Sequence, residues 1–392
     1  MSVVFPKGFT TASIAAGISA HAGKKDLALV VNNGPLDAAA GVFTSNRFCA
    51  APVQWSRKAI ADGHLRGVVI NSGCANACTG QEGYAQAQAE AENFARLAGF
   101  PQANDVAVCS TGMIGDLLPL DNLLDGMNKA FPTLSDSAEA GKESSIAILT
   151  TDTHPKTVEI EADGYRIGGM VKGSGMIAPQ LATMICIITT DAVVTPEQMH
   201  EALEHGAEYS FNRIDVDGCM STNDTVILLA SGASGVTPDP TEFSENIAKA
   251  TASLARQIVG DGEGSSHDIR ITVSGATSED AALACARAVA ASNLLKCAIC
   301  GNDPNWGRVV SSLGTVPADV APYDPNDVTV DVNGVRVCDG GKPGQPRSLV
   351  TMEGQREVGI DIDLNTGSDA DATVWTDDLT HEYVHINADY ES

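Results

Sequence analysis

The sequence predicts an α/β (α+β) protein. Stretches with helical spacing alternate with short β-branched runs along the chain. No repeat, low-complexity tract or long charged linker interrupts that alternation. The 392 residues are enough for two domains, or one large one, with a sizeable core. In chain order, residues 26–31 and 67–70 read as strands. Residues 81–97, rich in Ala, Glu and Gln behind a possible Thr79 cap, read as a helix. Residues 106–109 read as a strand, and Ser110-Thr111-Gly112-Met113-Ile114-Gly115 as a strand-to-helix turn. A strand at 184–190 precedes a helix at 196–211, whose proline falls in the first turn, where its missing N–H is tolerated. Then come a strand at 226–229, a helix at 241–259, a strand at 269–273 and a helix at 279–296. The Pro/Gly-rich stretch 339–347 reads as a surface loop.

Hydrophobic residues make up 43% and charged residues 19%, the composition of an ordinary globular protein. The formal charge of −26 repels phosphate backbones and anionic lipid, which argues against nucleic acid and membrane surfaces as partners. It suits a substrate that carries a positive charge. No apolar run reaches the roughly 18 residues of a membrane span. Ala20-His21-Ala22 resembles a signal cleavage site, but residues 11–20 make a weak apolar region, and no signal peptide is expected. Cys109, Cys186, Cys297 and Cys300 sit in apolar, strand-like runs and are expected to be buried thiols. Cys297-Ala298-Ile299-Cys300 lacks the second pair of a zinc ribbon. A reducing, cytoplasmic location follows as the expectation.

Two motifs point to metals and are set aside. His381-Glu382-Tyr383-Val384-His385 fits the zinc-protease pattern, but its β-branched and aromatic surroundings (374–386) do not read as the helix that chemistry needs. Asp215-Val216-Asp217-Gly218 has its glycine two positions too early for a calcium loop. No metal or organic cofactor is expected. Two other segments carry chemistry. Lys172-Gly173-Ser174-Gly175-Met176-Ile177-Ala178-Pro179-Gln180-Leu181-Ala182-Thr183-Met184 is a glycine-rich loop that runs straight into an apolar strand, with Thr183 at its start. Taken alone it is a loop, a turn proline and a threonine entering a strand. In Ser110-Thr111-Gly112, a glycine N–H beside a hydroxyl suits a negative oxygen.

These segments resemble the ornithine acetyltransferase (glutamate N-acetyltransferase) family of arginine biosynthesis. Lys172–Met184 is similar to its self-cleavage motif, and Ser110-Thr111-Gly112 to its oxyanion element. Further similar motifs follow in the family's order: Thr150-Thr151-Asp152-Thr153, Ser221-Thr222-Asn223-Asp224-Thr225, Gly262-Glu263-Gly264, Gly301-Asn302-Asp303-Pro304-Asn305-Trp306-Gly307-Arg308 and the C-terminal 383–390. The resemblance therefore covers essentially the whole chain. There are departures. Ser265-Ser266-His267 stands where Ala-Thr-Lys is common, Cys74 and Gln180-Leu181 replace an Asn and an Asn-Met, and the last residue is Ser392 rather than Thr.

The resemblance implies stacked sheets with flanking helices and a chain that cuts itself between Ala182 and Thr183. The products are an α chain, 1–182, and a β chain, 183–392, assembling as α2β2. Thr183 then acts as the nucleophile. Its hydroxyl is weak until a base adjoins it, and cleavage supplies one, its own α-amine with a pKa of about 8. The implied cycle is ping-pong, with acetyl passing from N-acetylornithine to Thr183 and then to glutamate. Thr111 and Gly112 form the oxyanion hole, Lys172 meets a substrate carboxylate, Glu263 faces the substrate amine, and Thr150, Asn387 and Ser392 match substrate contacts. Use of acetyl-CoA as donor stays open at this point. Two rival readings remain beside it: a related self-cleaving hydrolase or aminopeptidase with an N-terminal threonine, and a non-catalytic binding protein on the same scaffold.

Overall fold

The computed structural model describes residues 2–179 and 184–389. These fall into two compact units, one within 2–212 and Cys219–Ile258, the other within Arg213–Gly218 and 259–389. Mixed sheets with flanking helices make up both.

The first unit holds β1 (Phe9–Ile14), β2 (Leu27–Asn32), β3 (Ala39–Phe43), β4 (Gly67–Cys74), β5 (Val106–Met113), β6 (Lys156–Glu161), β7 (Arg166–Lys172), β8 (Ile185–Thr190) and β9 (Thr225–Ala230). One sheet has the order β1-β2-β4-β5 and the other β3-β9-β8-β7-β6. Every residue of β2, β8 and β9 is buried, as their unbroken apolar runs require of strands covered on both faces. Their side chains meet in one core: Leu27, Leu29, Ile70 and Val108 pack in the same cluster as Met170, Ile185, Ile187 and Ile227. Helix Gly80–Ala98 adds the stripe Ala87, Ala91, Phe94 and Ala95 at three- and four-residue spacing. Glu90 lies in that stripe, fully buried, and burial holds its carboxyl well above the usual range.

The second unit holds β10 (Asp268–Ala276), β11 (Thr329–Val332), β12 (Val335–Asp339), β13 (Lys342–Pro343), β14 (Glu357–Asp363) and β15 (Ala370–Asp377), in the order β13-β12-β11-β14-β10-β15. Its core sets Ile269, Ile271 and Val273 of β10 against Ala282, Ala286 and Val289 of helix Glu279–Ala290.

Several elements differ from their sequence reading. The helix expected over 279–296 is two helices, because Ser292 caps a second one over Asn293–Cys300 through Leu295 N–H. Cys297 on that helix is exposed and Cys300 is half-buried, so neither is a core thiol of a strand. Cys109 and Cys186 are buried, and burial pushes both thiols far up. The 381–389 region is a helix, His381–Asp389, started by Thr380, whose hydroxyl accepts from Tyr383 N–H at 3.1 Å. No group of three metal-ligating side chains gathers among the described residues. None of the described helices alone is long and apolar enough to cross a membrane.

Candidate active site

β5 does not stop at Cys109 but continues through Ser110, Thr111 and Gly112 to Met113. The turn expected there is strand because β4 runs beside it in parallel, pairing Ser72 with Thr111 and Gly73 with Gly112. Gly112 has φ +127°, and a Cβ on it would lie 2.3 Å from Gly73 C and 2.6 Å from Cys74 N. Only glycine allows the two backbones so close. Cys74 at the bulge that follows is buried and donates its thiol to Asp116 O at 3.4 Å.

Lys172, the last residue of β7, is 2% exposed. Its Nζ donates to Thr111 Oγ1 at 3.4 Å, so two of the residues singled out in the sequence are in contact. Beside Lys172 sits Asp152. Its Oδ1 accepts from Lys156 Nζ at 2.7 Å and from Gly173 N–H at 2.6 Å, and its Oδ2 from Thr150 N–H at 3.1 Å. Burial by itself would raise this carboxyl. The charges of Lys172 and Lys156 and the two short hydrogen bonds hold it down at about 2. Thr151 Oγ1 and Ser174 Oγ, 2.8 Å apart, tie the same loop to the Lys172–Met184 segment. Thr150 therefore sits in this cluster through its backbone, half-buried.

The segment Ser221–Thr225, which leads into β9, reaches the same region. Asn223 Nδ2 donates to Ser110 O at 2.9 Å and to Ala75 O at 2.6 Å. Asp224 is fully buried, and its Oδ1 accepts from Met184 N–H at 3.1 Å. Burial raises its carboxyl well above the ordinary range, only partly offset by that N–H, the nearby Ser221 and Thr44 hydroxyls and the charge of Lys172. Ala182 and Thr183, the expected cleavage site and nucleophile, lie outside the described residues, as does Ser392.

In the second unit, Glu263 Oε2 accepts from Asn387 Nδ2 at 2.7 Å, joining two more of the expected site residues. Asn387 Nδ2 also donates to Tyr383 O at 3.0 Å, within helix His381–Asp389. The Glu263 loop is packed from below: a Cβ on Gly262 would lie 2.1 Å from Asp377 Oδ2. Burial lifts the Asp377 carboxyl to about 7, against the pull of Lys296, whose Nζ is 3.0 Å away. The Ser265-Ser266-His267 departure has a structural place. Arg356 donates to Ser265 O and Oγ, each at 2.8 Å, while Asp378 accepts from Ser266 N–H at 2.7 Å and His267 N–H at 3.0 Å.

Asp152, Asn223 and Asp224 are the functional candidates that sequence reasoning missed. Each stood inside a motif quoted for the resemblance, and its acid or amide type beside β-branched residues was the only available signal.

Residues 10–392 match the ArgJ family. The chain is 73% identical over 393 residues to the arginine biosynthesis bifunctional protein ArgJ of Bifidobacterium longum, covering 100% of both chains. It is 51% identical over 392 residues to the protein of that name in Streptomyces coelicolor, again over 100% of both. Among solved structures, it is similar to an ornithine acetyltransferase from Mycobacterium tuberculosis in complex with ornithine. That match is 46% identical and spans 47% of this chain and 96% of that one, with a TM-score of 0.45.

Proposed function

We propose, from the premise that this chain belongs to the ArgJ family, that it is an acetyltransferase of arginine biosynthesis that carries acetyl from N-acetylornithine to glutamate. The observation that carries this reading is the end-to-end identity of 73% with a relative of that pathway.

In the cycle we infer, the chain first cuts itself between Ala182 and Thr183. The Thr183 hydroxyl attacks the Ala182 carbonyl carbon, the amide becomes an ester, and water releases an α chain, 1–182, and a β chain, 183–392. The freed amine of Thr183 then serves as its base. Thr183 Oγ attacks the acetyl carbonyl of N-acetylornithine, and the tetrahedral oxyanion is held at Thr111 and Gly112, each donor worth about 3 kcal/mol of barrier. Ornithine leaves as the amine, glutamate enters, and its amine takes the acetyl group. The contact between Lys172 Nζ and Thr111 Oγ1 supports the roles of both residues, since it sets a cation beside the proposed oxyanion site. That cation suits a substrate carboxylate, and Thr150, on the same cluster, suits a substrate contact. The Glu263–Asn387 pair supports a polar role for each toward the substrate amine. Ser392 is proposed as a further contact, and α2β2 as the assembly, in the cytoplasm.

The relatives are called bifunctional, which favours a second reading in which acetyl-CoA also loads Thr183. Acetylglutamate formed from acetyl-CoA and glutamate alone would support it.

The test of the main reading is the denatured mass of the purified protein, followed by an acetyl-transfer assay. We expect two fragments that meet between Ala182 and Thr183, and a Thr183→Ala variant that stays whole and makes no acetylglutamate. Turnover by that variant would remove Thr183 as nucleophile. Release of acetate at a rate indifferent to glutamate would favour the hydrolase.

A further inference from the structure

We propose that Asn223 and Asp224 form a positioning clamp that fixes the start of β8, the strand that follows the proposed nucleophile in sequence, against the strand carrying the proposed oxyanion donors. The inference rests on the reading of Thr183 as nucleophile and adds the residues that aim it.

β8 and β9 run parallel, with Ile185 opposite Thr225. One residue before that pair, Met184 is buried and both of its backbone groups are taken. Thr225 N–H donates to Met184 O at 3.1 Å, and Met184 N–H donates to Asp224 Oδ1 at 3.1 Å. A side-chain oxygen thus does for Met184 what a main-chain carbonyl does further along a ladder. The ladder can end there while Met184 N–H stays fixed. Asp224 is itself pinned, since Thr44 N–H donates to its carbonyl at 3.0 Å.

The preceding residue makes the other half of the clamp. Asn223 Nδ2 donates to the carbonyls of Ser110 and Ala75, joining β5 to the residue that follows β4. Thr222 Oγ1 donates to Asn223 Oδ1 at 2.6 Å and fixes which end of the amide faces β5. One dipeptide therefore holds the residue after Thr183 and the residue before Thr111. Its two short side chains tie Met184, at the start of β8, to β5.

Burial favours the neutral form of the Asp224 carboxyl, so an amide is a close replacement for it. The experiment follows the appearance of cut chains by denatured mass in Asp224→Asn, Asp224→Leu and the unaltered protein, with melting temperature as the check on folding. Asp224→Asn keeps an acceptor oxygen and is expected to cut within about threefold of the unaltered rate. Asp224→Leu keeps the branched shape in bulkier form without an acceptor, and is expected to cut about 100-fold more slowly while still folding, at a lower melting temperature because Met184 N–H is left unpaired. That is the size of loss an ångström-scale misplacement produces. A folded Asp224→Leu that cuts at the unaltered rate overturns the clamp and leaves the nucleophile standing. Should Asp224→Leu not fold, Asp224→Asn decides alone: if it folds and stays whole, an acceptor oxygen is not what the site needs, and the clamp is overturned. An unaltered chain that never cuts would bring down the Thr183 reading itself.

Discussion

At Asp152 a single carboxylate gathers Lys156, Gly173 N–H and Thr150 N–H, with Lys172 close by. The side chains of Asp152 and Lys156 are both fully buried. Such a pair adds little against an apolar replacement, but breaking it strands a charge at a cost of about 3–5 kcal/mol. Asp152→Asn should destabilise the protein by that amount near neutral pH, read as a shift in the urea midpoint. Its pH dependence follows from the direction of the shift. The carboxyl sits at about 2 in the folded chain and near an ordinary 3.9 when unfolded. Its contribution is therefore full above about pH 4 and is lost as pH falls towards 2. The stability gap between unaltered protein and variant should shrink by roughly 2–3 kcal/mol across that window. A gap independent of pH would remove the ionised Asp152 from the account. A single sequence could not single this residue out. Thr111 and Lys172 were legible because whole motifs resemble a family. Asp152 shows its importance only through partners brought to it by folding.

The elements were legible where apolar spacing was long and regular. β8, β10 and helix Gly80–Ala98 lie within a few residues of their expected positions. Reading failed where tertiary contact outweighed local preference. Ser-Thr-Gly reads as a turn, yet it is strand in β5, because two glycines let β4 and β5 run together. His381–Asp389 has β-branched and aromatic residues, yet it is helical behind the Thr380 cap. The close approach at Gly112 makes a prediction about the element. Gly112→Ala places a methyl group 2.3 Å from Gly73 C at a φ of +127°. Backbone strain of that kind costs about 1–3 kcal/mol, and the collision should push the two strand ends apart. We expect a lower urea midpoint together with a drop in acetyl transfer of about 100-fold or more. A variant with an unaltered midpoint would show that the strands part without cost. Full activity would remove Gly112 from the oxyanion site.

For the whole molecule, the compact units and the two expected chains divide the sequence differently. The units part near residue 258, whereas the expected cut falls at 182. In the sheet β3-β9-β8-β7-β6, the cut would leave β3, β7 and β6 on one chain and β8 and β9 on the other. The pair β9-β8 lies between β3 on one side and β7 on the other, so two strands of the second chain would be inserted between strands of the first. The proposed chemistry at Thr183 would therefore follow folding, since the arrangement of Lys172, Thr111 and Asp224 exists only once the sheets are formed.

The same interleaving changes the reaction order of renaturation. Before the cut, a chain that unfolds can find its way back alone, at a rate independent of dilution. After the proposed cut, the two polypeptides would drift apart in denaturant and have to meet again by diffusion, as partners in any bimolecular association do. Recovery of the mature protein should slow in proportion to its concentration over a tenfold dilution, whereas the uncut Thr183→Ala chain should recover at one rate throughout. The break at Thr183 would then act as a ratchet, easily passed once during synthesis and costly to retrace.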